Sequence, residues 1–177
     1  EQDRVWAVAL LSGRRPRRTV NATELRQWAA LAAGIPLWLF EDSYAVAGDL
    51  AETIALVLPR AGDSQDPSLS QIMQDLARLA GAPAETRRAA ILSLWSRLDG
   101  TERFLATKLI TGGFRMGVSQ GLMLRALARA TGLAEADLAH RLMGQWDPAQ
   151  TDFASLIAAG AGGAQGATQP YPFALAA

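Results

Sequence analysis

Apolar positions along the chain recur at spacings of three and four, and alternating β-branched runs of the strand kind are scarce. Val5, Val8 and Ala9, with Trp6 and Leu10, set the first helical pattern. Asn21 and Glu24 are spaced as a capping box that opens a helix through Trp28, and Gly34 stops it. Pro36 starts a short helix over 37–46, and Gly48 breaks the chain before a helix over 50–58 that Pro59 ends. Residues 60–67 read as a loop. Ser68 with Gln71 caps a helix to Ala80, ended by Gly81, and 83–98 forms a longer one. Thr101 caps a helix carrying Phe104, Leu105, Lys108 and Leu109, which Thr111-Gly112-Gly113 ends. Ser119 opens a helix to Thr131, closed by Gly132. Asp147-Pro148 reads as an N-cap with Pro at the first helical position, for a helix to about Ala158.

This pattern predicts an all-α fold: a compact domain of roughly eight to ten short helices with brief loops. No tandem repeat of fixed period is visible. The domain is expected over 1–158, followed by an Ala/Gly-rich linker and tail over 159–177. Residues 153–177 form the longest uncharged run, 25 residues. Its glycines, glutamines and prolines argue against a membrane span, which wants about 20 predominantly apolar residues. The five Trp, at 6, 28, 38, 95 and 146, are expected to be core or half-buried, given the area each ring can bury.

Composition narrows the chemistry. Of 177 residues, Lys+Arg and Asp+Glu each total 17, so the chain is neither a uniformly basic coat nor an acidic tail. With no Cys and one His, thiol nucleophiles, Cys-ligated zinc and His-rich metal sites are out of reach, and His140 reads as a helix-surface or packing residue. All the cations but Lys108 are Arg. No targeting signal is evident, which favours the cytoplasm, and a monomer is expected.

Charge is segregated. Residues 97–129 carry a net +4, whereas 36–60 and 130–152 each carry −3, so a neutral chain can still present one positive face. Gly13-Arg14-Arg15-Pro16-Arg17-Arg18 places four Arg in six residues with no acid beside them. This is either a solvated loop or a phosphate contact, since the guanidinium fork matches phosphate oxygens. In Thr111-Gly112-Gly113-Phe114-Arg115-Met116-Gly117-Val118-Ser119, three glycines surround an Arg between two helices. There a backbone can approach a partner closely, and Ser119 leads free N–H groups at a helix start, where anions are favoured. Arg125 and Arg129, four apart, share a face of that helix. Gly48-Asp49-Leu50-Ala51 is a second glycine-led helix start, although Asp49 could cap the helix and repel anions. Both motifs could also be plain helix–helix turns.

The segment Lys108–Leu127, with its helix, glycine turn and Arg-apolar-Gly step into the next helix, resembles the N-terminal DNA-binding domain of ATP-dependent DNA ligases. Gly48-Asp49-Leu50-Ala51 resembles that family's glycine-acid turn. Residues 9–18 and Ala139-His140-Arg141-Leu142-Met143-Gly144-Gln145-Trp146 look like the bacterial branch. The resemblance implies an all-helical module that grips nicked duplex DNA through phosphates, with little sequence readout, beside the catalytic domain of the same parent chain. It implies Arg14, Arg15, Arg17, Arg18, Gly48, Thr111, Gly113, Arg115, Gly117 and Ser119 as contacts, with Lys108 as a weaker one that its helix could turn inward. It also implies ATP and Mg for the parent enzyme and neither here. The family's adenylated Lys-x-Asp-Gly motif is absent, because Lys108 is followed by Leu109-Ile110-Thr111. Pro170-Tyr171-Pro172-Phe173 resembles the entry to a nucleotidyltransferase domain. Glu1-Gln2-Asp3 reads as a boundary, and loss of an upstream helix would bare an apolar stripe near Trp6 and Leu10.

Two other classes compete. A helical protein-interaction module would fit the 50% apolar content and zero net charge. A base-acting repair enzyme would need a general base or nucleophile, for which only carboxylates such as Asp49 or Asp99 are on offer.

Overall fold

In the computed structural model, residues 1–14, 18–60, 66–114 and 117–158 are described. They form ten helices and no strand: α1 (Gln2–Leu11), α2 (Ala22–Ala33), α3 (Leu37–Ala47), α4 (Leu50–Val57), α5 (Leu69–Arg78), α6 (Ala84–Arg97), α7 (Gly100–Thr111), α8 (Gln120–Thr131), α9 (Glu135–Met143) and α10 (Phe153–Ile157). The fold is all-α. None of the described helices is long and apolar enough to cross a membrane.

Local chemistry sets most boundaries. Asn21 accepts from the Glu24 amide at 2.8 Å while Glu24 reaches back to Asn21, and Ser68 and Gln71 repeat the arrangement at α5. These reciprocal bonds satisfy amides that a helix start leaves unpaired.

Two ends differ from the sequence reading. Helix α7 is capped by Asp99, not Thr101, because Glu102 lies at the spacing that lets its carboxylate accept from the Asp99 amide, at 3.3 Å. Asp147-Pro148 opens only a single turn: Gln150 and Thr151 amides both donate to the Asp147 carbonyl. Asp152 then starts afresh, accepting from the Ser155 amide at 3.3 Å, and the helix proper is α10. Two consecutive Asp caps compete, and the second wins the longer helix. Helix α9 follows Ala134, which offers no side-chain cap, so its start carries no cap signal.

Two hydrophobic clusters organise the packing. The larger joins α2 to α7 around Leu25, Trp28, Phe40, Ile54, Met73, Leu76, Ile91, Trp95 and Ile110. The smaller joins Val8, Met123, Leu142 and Leu156, from α1, α8, α9 and α10. Helix α1 serves both: Trp6 and Leu10 pack on the larger cluster, Val8 and Leu11 on the smaller. A helix walled on two sides is apolar on two sides, as its sequence is. Trp6 and Leu10 are therefore half-buried, and no bare stripe lies there. The exposed apolar side chains lie elsewhere, with Leu31, Trp38 and Val46 at 60%, 64% and 90%. Trp38 thus departs from the expectation for the five Trp.

Candidate nucleic-acid interface

Helix α4 packs most extensively on α7, and this pairing brings together two motifs far apart in sequence. Gly48 ends α3 at φ 74°, a left-handed conformation in which a Cβ would be strained, and its N–H donates to the Tyr44 carbonyl at 2.9 Å. Asp49 then caps α4, its Oδ1 accepting from the Ala51 and Glu52 amides at 2.9 and 3.1 Å. The other oxygen, Oδ2, accepts from Lys108 Nζ near the end of α7. Lys108 Nζ also lies 5.4 Å from the centre of the Phe104 ring. Burial alone would raise the Asp49 pKa. Hydrogen bonds from Lys108 and from the Glu52 and Ala51 amides outweigh it and hold the carboxyl below its ordinary value.

Helix α7 ends at Gly112, with φ 66°. Thr111 Oγ1 donates to the Lys108 carbonyl at 3.2 Å and accepts from the Gly113 amide at 3.4 Å. A Cβ on Gly113 would lie 3.2 Å from Thr111 Oγ1 and 4.0 Å from Lys108 Cδ, so the glycine leaves room for both neighbours. Gly48, Gly113, Gly117 and Ser119 are exposed. Ser119 Oγ caps α8 by accepting from the Leu122 amide at 3.2 Å. Arg125 and Arg129 are both exposed on α8, as their spacing predicts. Arg115 lies outside the described residues, as do Arg15 and Arg17.

The arginines are not equivalent. Arg14 donates to the carbonyls of Leu142, Gly144 and Trp146 at 3.0, 2.7 and 3.3 Å, and its guanidinium sits 4.3 Å from the Trp146 ring centre. It closes the C-terminal end of α9, where unpaired carbonyls and the helix dipole favour a cation. Arg18 is exposed and donates Nε to the Val20 carbonyl at 3.0 Å. Arg103, counted within the basic stretch, is 2% exposed. It donates to the carbonyls of Trp95, Leu58 and Pro59 at 2.9, 3.2 and 2.9 Å. Burial pushes its pKa down, against the opposing charge of Asp99.

Residues 1–128 match the family model described as DNA ligase N terminus. The chain belongs to that family. Over 110 residues it is also 27% identical to DNA ligase 1 of Korarchaeum cryptofilum, covering 56% of this chain. The chain spans about a fifth, 20%, of that relative's length. The match takes in the basic loop, the Gly48 turn and the Thr111–Ser119 turn.

Within this family domain, the structure joins the Gly48 and Thr111–Gly113 turns through Asp49 and Lys108, and it ties Arg14 to α9. The sequence reading missed the Asp49–Lys108 pair, because 59 positions separate its members and nothing local marks either one. The burial of Arg103 had a signal: it shares a helical face with Ala106 and Ile110, both buried. His140 is exposed on α9. Asp49 and Asp99 both serve as helix caps.

Proposed function

We propose that this domain grips nicked duplex DNA for a DNA ligase, through phosphate contacts that carry little sequence information. The observation that carries the reading is the α4–α7 seam. It sets two exposed glycine turns of a ligase N-terminal domain side by side, and the second precedes in the chain a helix, α8, that bears exposed Arg125 and Arg129. Backbone amides, hydroxyls and guanidinium groups suffice for contacts that position a protein on DNA. Gly48, Thr111, Gly113, Arg115, Gly117 and Ser119 form the central contacts. Arg15, Arg17 and Arg18 are further contacts in this reading, while Arg14 is tied to the end of α9.

The parent enzyme uses ATP and Mg in this reading, held outside these residues. The residues here do not fit ATP chemistry, because the chain has no Lys-x-Asp-Gly motif and its one lysine is committed to Asp49. Among the described residues no group of three or more His, Asp or Glu could hold a metal. In this reading adenylyl transfer belongs to the partner catalytic domain of the parent chain, and the domain works as a monomer in the cytoplasm.

Fluorescence anisotropy with a labelled nicked duplex, beside an intact one, tests the reading. With about four to six phosphates neutralised, log K should fall against log salt with a slope of roughly −4 to −5. Binding absent at low salt would refute it. One observation favours a second reading, a protein-contact role. Leu31 on α2 and Trp38 and Val46 on α3 are each exposed, and large exposed apolar side chains can mark contact surfaces. If DNA binding is the task of the α4–α7 seam, Trp38→Ala leaves the anisotropy curve unchanged.

A further inference from the structure

The lone lysine lies within the proposed interface, yet its ammonium is paired with Asp49. Its side chain is 22% exposed, its stem passes beside Gly113, its head lies near the Phe104 ring, and its charge meets Asp49, whose side chain is 33% exposed. Asp49 cannot turn away without leaving the Ala51 and Glu52 amides it caps. One carboxylate thus does two tasks, starting α4 with one oxygen and holding α7 with the other.

Resting on the DNA-grip reading, we propose that Lys108 is a positioning residue that Asp49 withholds from phosphate: the pair clips the two glycine turns together and stays closed on DNA. A neutral clip fixes the separation of Gly48 and Gly113 without adding a free cation. The grip then depends on the turns meeting successive phosphates, not on an indiscriminate ammonium. A free lysine here would strengthen binding to any duplex, because an unpaired cation releases counterions wherever it lands.

The two roles separate by salt dependence. Lys108→Gln should weaken binding to the nicked duplex while leaving the slope of log K against log salt unchanged, since no phosphate contact is lost. Asp49→Asn keeps an oxygen to cap α4 but removes the charge that holds Lys108. Its slope should steepen by about 0.9, one added phosphate. The double variant should return to the wild-type slope. Glu52→Gln, an exposed neighbour on α4, should leave the slope unaltered whether residue 108 is Lys or Gln. Circular dichroism melting confirms that each variant is folded.

A second measurement needs no DNA. Lys108 is the only lysine, so acetylation of the peptide containing it reports one ε-amine. Labelling should be faster in Asp49→Asn than in the wild type. Equal labelling rates would overturn the clip. A flattened slope for Lys108→Gln would overturn the withholding and make Lys108 a direct phosphate contact. A wild-type chain that fails to bind DNA at any salt, with faster labelling in Asp49→Asn, would overturn the DNA-grip reading and the phosphate half of this one, leaving the clip as a fact of the fold.

Discussion

The two hydrophobic clusters are held by different means. Among the described residues the α2–α7 cluster buries eighteen apolar residues and the α1–α8–α9–α10 cluster buries four. The large cluster draws on more apolar burial, with Arg103 as a buried polar clamp beside it. The small one is pinned by polar side chains that cross to backbone carbonyls: Arg14 to Leu142, Gly144 and Trp146, Gln2 to Pro148, and Arg141 to Ala158. The same residue type appears in both regions doing the same task. Arg103 in the large cluster and Arg14 beside the small one each bind three carbonyl oxygens. Arginine abundance in this chain therefore reflects helix ends as well as any phosphate, and a count of basic residues cannot separate the two.

The largest expected effect comes from breaking the buried clamp. Arg103→Met removes the donors to Trp95, Leu58 and Pro59 and leaves three carbonyls at the ends of α4 and α6 without their partner. A cost of about 3–5 kcal/mol is expected, since each buried unpaired group costs about 1–3 kcal/mol and some relaxation follows. Urea unfolding should show a lower midpoint with an unchanged slope. Arg103→Lys should recover little, because an ammonium cannot reproduce the planar fork. If the loss is under about 1 kcal/mol, the large cluster stands on apolar burial alone.

Arg14→Ala acts on the weaker region and should cost less, about 1–3 kcal/mol, because its bonds are only partly buried. Its signature should be local. Amide exchange should accelerate in α9 and α10 while α4 and α7 keep their protection, as expected of a small cluster that opens separately. Uniform acceleration would mean that the two clusters unfold as one. The variant also tests whether Arg14 is an anchor alone: a lost anchor lowers stability, whereas loss of a proposed phosphate contact would in addition flatten the salt slope of DNA binding.

Much of the fold was legible in the sequence because its punctuation is local. Asn21 with Glu24, Ser68 with Gln71, Gly34, Gly48, Gly112 and Gly132 act within one turn of the backbone they control, and each ends or starts a helix where its spacing says. Asp147-Pro148 carries a local start signal but opens only one turn, and the helix itself begins at Asp152. The candidate interface was legible only in its pieces. Gly48 and Thr111–Ser119 stand out because of glycine, but their union depends on α4 lying on α7, which no spacing encodes. Exposure was the least legible property. Trp38 carries the same apolar side chain as Trp95, and only the tertiary arrangement decides that one faces solvent and the other the core.

The smallest effect expected is acid sensitivity, and it distinguishes the regions by charge type. Asp3 of α1 accepts from the Ser70 amide at the start of α5, at 2.8 Å, and hydrogen bonds from Ser70 hold its pKa below the ordinary value. Asp49 is depressed as well, across the α4–α7 seam. A carboxyl whose pKa is lower folded than unfolded contributes stability above the unfolded pKa, and that contribution is lost as pH falls through the folded one. Both contributions should thus be complete at pH 6 and decline below about pH 4. The Arg14 pin joins a guanidinium to neutral backbone carbonyls, so no carboxylate takes part in it. Urea midpoints measured between pH 6 and pH 2.5 should fall for the wild type, and less steeply for Asp3→Asn with Asp49→Asn, which keep acceptor oxygens but not the charge. Amide exchange at low pH should then show the α1–α5 and α4–α7 contacts loosening before the C-terminal end of α9. If α9 opens first, the small cluster is the weaker region in acid too, and the polar pins do not compensate for its fewer buried side chains.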